Sequence, residues 1–288
     1  MKEYLSLPSE LPLSATVAHA CLLSYSAGAS IDHLLYTSSL PRIKPHLGVF
    51  ELSSKLDIAI GHVLDLGTSC TSILDSVYLS FLFNALPGDN SCLIVVADLF
   101  SHCVDDKSIS QKDDVKGWAS GAGAIILSQK GNIELSLLSY VTIYDFSLCG
   151  LVTFSVQQPN YALRFSGDHV VAFQQEDVAQ ELSAIKAALR QANLLINEID
   201  GLVVINRQHI RTEQLAMALG YPKSKIFSSR NIYGHTGGAD ILINLRSALD
   251  IILRESQEAF IILSGNGLGY CWSAMVLQVK TCPNDTED

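Results

Sequence analysis

Charge is what this chain has least of. Charged residues make up 17% of its 288 positions, against 48% hydrophobic. So little charge points to a surface partly covered by other protein, because buried parallel sheets and large interfaces are both poor in charge. Basic clusters are missing too. Nineteen Lys and Arg face 29 Asp and Glu, giving a formal net charge of −10 and a pI near 5.2. An acidic chain without a basic stripe is not built to hold nucleic acid. No apolar run reaches the roughly 18 residues of a membrane-spanning helix. Met1-Lys2-Glu3-Tyr4 lacks the charged-then-apolar layout of a secretory signal. The seven cysteines include no CxxC pair and the eight histidines are dispersed. That speaks against a disulfide framework and against a zinc site. The expectation is a cytoplasmic, reduced protein without a metal. It is long enough for one large domain or two intimately joined halves.

What the chain does have is alternating helical and strand patterns. Ala15–Tyr25 reads as a helix, Ile31–Tyr36 as a strand and Phe50–Leu56 as a short helix. His62–Leu66 reads as a strand and Thr71–Leu86 as a helix. Cys92–Ala97 is a β-rich run that reads as a central strand. Ala122–Ser128 and Ile133–Val141 read as an antiparallel pair around Lys130-Gly131-Asn132. Asp145–Ser166 has no clear period and reads as a connecting loop with some strand character. The pattern then restarts. Val178–Ala192 is an amphipathic helix, Gly201–Ile205 a strand, Thr212–Leu219 a helix closed by Gly220, and Ala239–Leu253 a long helix. Phe260–Leu263 and Trp272–Val279 are strands. The halves, 1–150 and 151–288, run in similar order. This suggests an internal duplication with two five-stranded layers and helices between and outside them.

Four segments could carry chemistry. In Asp65-Leu66-Gly67-Thr68-Ser69-Cys70, a strand ends in a small-residue turn and a cysteine sits where a helix begins. A helix N-terminus favours a thiolate there, though a free cysteine is as readily an inert core residue. The run Ala119-Ser120-Gly121-Ala122-Gly123-Ala124 reads first as a tight packing site. Asn231-Ile232-Tyr233-Gly234-His235-Thr236-Gly237-Gly238-Ala239 holds a histidine in a glycine-rich loop ahead of a helix. Such an imidazole can take a thiol proton or bond a thioester oxygen. Ser264-Gly265-Asn266-Gly267-Leu268-Gly269-Tyr270 could turn backbone N–H groups toward an oxyanion or form a plain bulged turn. Asp65, Asp75 and Asp240 show no paired-carboxylate geometry. Asp105-Asp106 and Lys112-Asp113-Asp114 with Lys116 read as a solvated loop. Arg207 and Arg211 could meet a phosphate or carboxylate, and read first as surface charges where a helix begins.

In this order, Cys70 and its helix, Gly121-Ala122-Gly123-Ala124, Ile199-Asp200-Gly201-Leu202-Val203, Gly234-His235-Thr236-Gly237-Gly238-Ala239 and Gly267-Leu268-Gly269-Tyr270-Cys271-Trp272 resemble the thiolase superfamily. Within it the chain is most similar to ketoacyl-ACP synthase III and related acyltransferases, over about residues 15–280. The resemblance implies an α/β fold, the thiolase-like duplicated α-β-α-β-α five-layered arrangement, here N-terminally shortened. It implies Cys70 as the nucleophile that carries an acyl thioester. It implies an oxyanion site made by the Cys70 amide with Gly267, Leu268 and Gly269. His235 falls where synthase III enzymes carry asparagine, in a loop closer to the second histidine loop of ketoacyl synthases I and II. The first histidine of the family is absent: an ungapped match places Ile205 there, and Asn206 or His209 are the possible substitutes.

These departures shape the functional expectation. Decarboxylative condensation needs two polar groups on the thioester carbonyl, whereas acyl transfer to an O–H or N–H needs one base and an oxyanion site. The expected function is therefore an acyltransferase of specialised or fatty-acid-like metabolism. It would move an acyl group from a coenzyme A or phosphopantetheinyl acyl-carrier-protein thioester, through Cys70, to an acceptor, with no bound cofactor. The acidity of the chain disfavours purely electrostatic capture of an acidic carrier. The alternatives are a catalytically degenerate partner subunit of a heterodimeric ketosynthase and a decarboxylating ketosynthase with an altered triad. Family members dimerise, so a homodimer, or a heterodimer with a ketosynthase-like chain, is implied, with Cys92–Ala97 as the edge strand. The pantetheine tunnel would be shorter or completed by a partner.

Overall fold

Burial along the strand Ser91–Leu99 shows how the layers are built. All nine residues are buried. Leu93, Val95 and Ala97 face one core, while Ile94 and Val96 face another. With a side-chain period of two, a strand apolar at every position must be covered on both faces. The protein, a computed structural model, is described for residues 10–25, 30–40, 48–67, 69–88, 90–100, 117–148, 150, 152–157, 160–165, 167–267 and 270–282. The loop charges at 105, 106, 112–114 and 116, Cys103, Cys149, Leu268 and Gly269 lie outside these residues.

The elements run α1 (Leu11–Leu23), β1 (Ser30–Thr37), α2 (Gly48–Ser53), β2 (Ala59–Asp65), α3 (Ser72–Asn84), β3 (Ser91–Leu99), β4 (Ser120–Ser128) and β5 (Ile133–Tyr144). They continue with β6 (Val152–Gln157), β7 (Asn160–Phe165), α4 (Gly167–Ala192), β8 (Gly201–Val204), α5 (His209–Leu219), β9 (Ile226–Phe227), α6 (Arg230–Tyr233), α7 (Ala239–Glu255), β10 (Glu258–Gly267) and β11 (Cys271–Thr281). One sheet has the order β2-β1-β3-β4 and the other β9-β8-β10-β11-β5. In both, the first three strands are parallel and the fourth antiparallel. The segments β1-α2-β2-α3-β3-β4 and β8-α5-β9-α7-β10-β11 are thus the same unit twice. Helices α1 and α2 cover the outer face of the first sheet. Helices α3 and α7 fill the space between the sheets, and α4 and α5 cover the outer face of the second. This is the five-layered α-β-α-β-α order.

Several sequence expectations change. Strands β4 and β5 are not partners: β4 pairs with β3, and β5 pairs with β11 in the other sheet. A short polar turn between two strands reads locally as a hairpin, but here residues 129–132 carry the chain from one layer to the next. Strand β5 thus joins the sheet of the later strands. Among the described residues the first sheet has four strands, with no counterpart of β5. Strand β3 is not an edge: it lies between β1 and β4, and that interior position explains its complete burial. The stretch 145–166 contains a β6–β7 hairpin.

The two halves are tied at Asp98, which is wholly buried at the end of β3. Its carboxylate accepts from Ser38 Oγ (2.9 Å), Ser39 N (2.6 Å) and Ser39 Oγ (2.9 Å) in the turn after β1. It also accepts from Gly238 N (3.0 Å) at the start of α7. Burial pushes its pKa up and these donors oppose the rise. Gly237 makes the approach possible. Its φ is +68°, and a Cβ there would collide with the Asp98 carboxylate and with Phe100. Asp98→Ala strands buried donors from both halves. The expected loss is about 3 kcal/mol of unfolding free energy in urea. A loss within experimental error of zero would show that the tie carries no stability.

Candidate active site

The two central helices begin at the same place. Chain reversal after β2 puts Cys70 two residues ahead of α3, and the loop before α7 brings His235 over it. Nε2 of His235 lies 3.9 Å from Cys70 Sγ. Both residues are buried, Cys70 to 2% exposure and His235 to 8%. The N-terminal ends of α3 and α7 both present N–H groups and positive dipole ends here. Aromatic rings hold the imidazole from two sides. Trp118 meets it edge-on at 4.9 Å between centroids and Phe100 stacks at 5.5 Å. The backbone of His235 bridges Trp118, bonding Gly117 O through its N–H and accepting from Ala119 N at 2.9 Å.

The other ring nitrogen finds a carboxylate. Nδ1 of His235 donates to Asp240 Oδ2 at 2.6 Å. Asp240 is fully buried in the first turn of α7. It also accepts from Asn206 N (3.0 Å) and Nδ2 (2.9 Å), and from Thr236 N (2.8 Å) and Oγ1 (2.6 Å). Burial alone would lower the His235 pKa. The Asp240 charge and hydrogen bond, then Cys70, overcome it and push the pKa up to about 10. The imidazole is therefore a cation through the neutral range. Its folded pKa exceeds the ordinary 6.5, so the contribution to stability is complete below pH 6.5 and is lost as pH rises through about 10. The result is a Cys70–His235–Asp240 chain, all from one polypeptide. In the sequence Asp240 shows no paired-carboxylate geometry. The available signal was an acid in the first turn of a helix, five residues after a histidine in a glycine loop.

The two substitutes for the missing histidine are placed elsewhere. His209 is exposed on α5, with Nε2 3.1 Å from Lys223 Nζ and 3.3 Å from Glu213 Oε1. Asn206 is buried, but its amide is fully used by the scaffold. Nδ2 reaches Asp240, Ser229 Oγ (3.1 Å) and Gly234 O (2.7 Å). Oδ1 accepts from Ser229 N, Ser228 Oγ and Asn244 Nδ2. Ile205 is buried in the same core as Cys70 and packs where a Gly265 side chain would be.

On the far side of the cysteine lies the β10–β11 turn. A Cβ on Gly267 would sit 2.7 Å from the Ser69 side chain, so only glycine allows this approach. Cys271 Sγ lies 3.0 Å from Thr71 Oγ1 and 3.1 Å from Ser69 Oγ. Gly267 and Cys271 are therefore packed against the residues on either side of Cys70. The small-residue run of β4 packs closely, Gly121 on Thr236 and Gly123 on Leu242. Arg207 and Arg211 are not surface charges. Both are buried, facing Asp177 and Glu181 of α4. Among the described residues there is no group of three or more His, Cys, Asp or Glu that could hold a metal. No described helix is long and apolar enough to cross a membrane.

Comparison with known proteins gives one direction. Residues 189–279 match the family described as 3-oxoacyl-[acyl-carrier-protein] synthase III, C terminal. The β-ketoacyl-[acyl-carrier-protein] synthase III of Porphyra umbilicalis is 27% identical, over 95% of this chain and 86% of that protein. Synthase III (FabH) of Pseudomonas aeruginosa superposes with a TM-score of 0.79 at 22% identity, covering 96% of this chain and 85% of that one. An acyltransferase, ChlB3, superposes at 0.78 and 18% identity, covering 96% and 86%. The chain has the thiolase-superfamily fold and is ketoacyl-ACP synthase III-like in both sequence and structure.

Proposed function

We propose that this chain is an acyltransferase of the ketoacyl-ACP synthase III-like type, working through a thioester on Cys70. The observation that carries the reading is the buried Cys70–His235–Asp240 chain; the ungapped sequence match that puts the buried hydrocarbon Ile205 at the family's first histidine supports transfer over condensation. One charged imidazole and an oxyanion turn suffice for acyl transfer. The donor is a coenzyme A or phosphopantetheinyl carrier-protein thioester, and the acceptor an O–H or N–H group.

In the first half-reaction the Cys70 thiolate attacks the donor carbonyl and a new C–S bond forms. The oxyanion is met by the Cys70 amide and the turn that begins at Gly267. Collapse breaks the donor C–S bond, and the departing thiolate takes the proton of the His235 imidazolium. Cys70 is now a neutral thioester. His235, having given up its Nε2 proton, is now neutral and can act as a base. In the second half-reaction it accepts the acceptor's proton as the acceptor attacks, and collapse returns Cys70 to the thiolate. Asp240 keeps Nδ1 protonated throughout, so that only Nε2 exchanges protons. That all three residues come from one chain supports chemistry without a catalytic residue supplied by a ketosynthase-like partner.

Intact-mass measurement after incubation with a panel of acyl-CoA and acyl-carrier thioesters tests the first half-reaction. The native chain should gain one acyl mass and Cys70→Ala none. His235→Ala should load more slowly by about 10²–10⁴-fold. Full acyl transfer by Cys70→Ala would end the proposal. A malonyl thioester tests the second feature. The malonyl group should be transferred intact, without CO₂ release. Stoichiometric CO₂ with each turnover would instead establish a decarboxylating synthase.

A further inference from the structure

Beneath the oxyanion turn lies a second buried polar group that the acyl-transfer steps do not use. Asp177 and Glu181 are one helical turn apart on α4, so both project from one face. Each is fully buried, and Arg207 and Arg211 are buried against them. Arg207 Nη1 contacts Glu181 Oε2 and lies 3.9 Å from Asp177 Oδ2. Arg211 Nη1 lies 3.7 Å from the same Asp177 oxygen. Two cations balance two anions, which is what makes burying four charges tolerable at all.

The two carboxylates differ in what else they hold. Glu181 accepts from Ser264 Oγ at 2.6 Å, within β10. Asp177 Oδ1 accepts from Asn266 Nδ2 and from Trp272 Nε1, the latter at 3.2 Å. Asn266 and Trp272 are cross-strand partners, and the next pair outward is Gly267 with Cys271. One oxygen thus grips both strands at the rung beside the turn that packs on Ser69 and Thr71. On the other side, Arg207 follows Asn206, which donates twice to Asp240. Residues 206 and 207 therefore join the support of the imidazole to the support of the turn.

We propose that Asp177 is a positioning residue that sets the Gly267–Cys271 rung against the residues flanking Cys70, with Arg207 and Arg211 holding its charge in place. The effect on acylation rests on the acyl-transfer reading above, whereas the effect on the turn does not. Glu181→Gln is the internal comparison. It removes the same charge from the same helix face but leaves the Asn266–Trp272 rung intact.

Hydrogen–deuterium exchange on the full chain reads the turn directly. In Asp177→Ala, exchange over residues 264–273 should rise about tenfold or more, while β3 is unchanged. Glu181→Gln should leave the 264–273 segment as in the native chain. Cys70 loading by an acyl thioester should fall about 100-fold in Asp177→Ala, as expected for a displaced oxyanion site. Alkylation of Cys70 by iodoacetamide builds no oxyanion and should change less than about twofold. If Asp177→Ala does not fold, Asp177→Asn retains an acceptor oxygen and should show the same pattern in weaker form. Exchange unchanged at the turn, raised equally in β3, or raised equally by Glu181→Gln overturns the proposal. A native chain that no thioester acylates removes the acyl-transfer reading, and the exchange result still decides the role of Asp177.

Discussion

The bond between Asp240 and His235 is the constraint around which the site is arranged. A carboxylate with no exposure has to be surrounded by donors. Asp240 recruits five, from His235, Asn206 and Thr236. To supply them, the chain after β8 must pass beside the start of α7, and the loop at 234–238 must fold back over the helix N-terminus. The imidazole is then fixed between Asp240 and Cys70, with only its Nε2 turned toward the sulfur. Its charge follows from the same arrangement. Burial works against an imidazolium, and the adjacent anion outweighs burial.

The duplicated architecture explains why these groups meet. Each repeat contributes one central helix, and each helix begins at the shared end of the two sheets. The first repeat supplies the cysteine at the start of α3 and the second supplies the acid at the start of α7. Asp98 fastens one start to the other by bonding the Gly238 amide from the end of β3. The Cys70–His235–Asp240 chain is thus an inter-repeat contact, and its stability is that of the packing between α3, α7 and the two sheets.

Features that depend on short stretches were legible in the sequence. The strand, small-residue turn and helix around Cys70 read correctly, as did the glycine loop that carries His235 and the αL cap at Gly220. Features that depend on distant partners were not. Asp240 looks like an ordinary acid in a helix's first turn, because its role arises only when the preceding loop curls back. Strands β4 and β5 look like a hairpin because nothing local states that their partners lie in different sheets. Arg207 and Arg211 look like surface charges because their counter-charges lie on α4. One signal was available there: Glu181 falls three, four and seven residues before the buried Ala184, Ile185 and Ala188, so this acid sits on the core face of an amphipathic helix.

The most direct test is an NMR titration of the His235 ring, followed at its Hε1–Cε1 resonance, in the native chain and in Asp240→Asn. The account predicts that the native imidazole stays protonated until pH nears about 10, and that without the Asp240 charge it titrates at a clearly lower pH. A native His235 that titrates at or below 6.5, or a titration unchanged by Asp240→Asn, would contradict it.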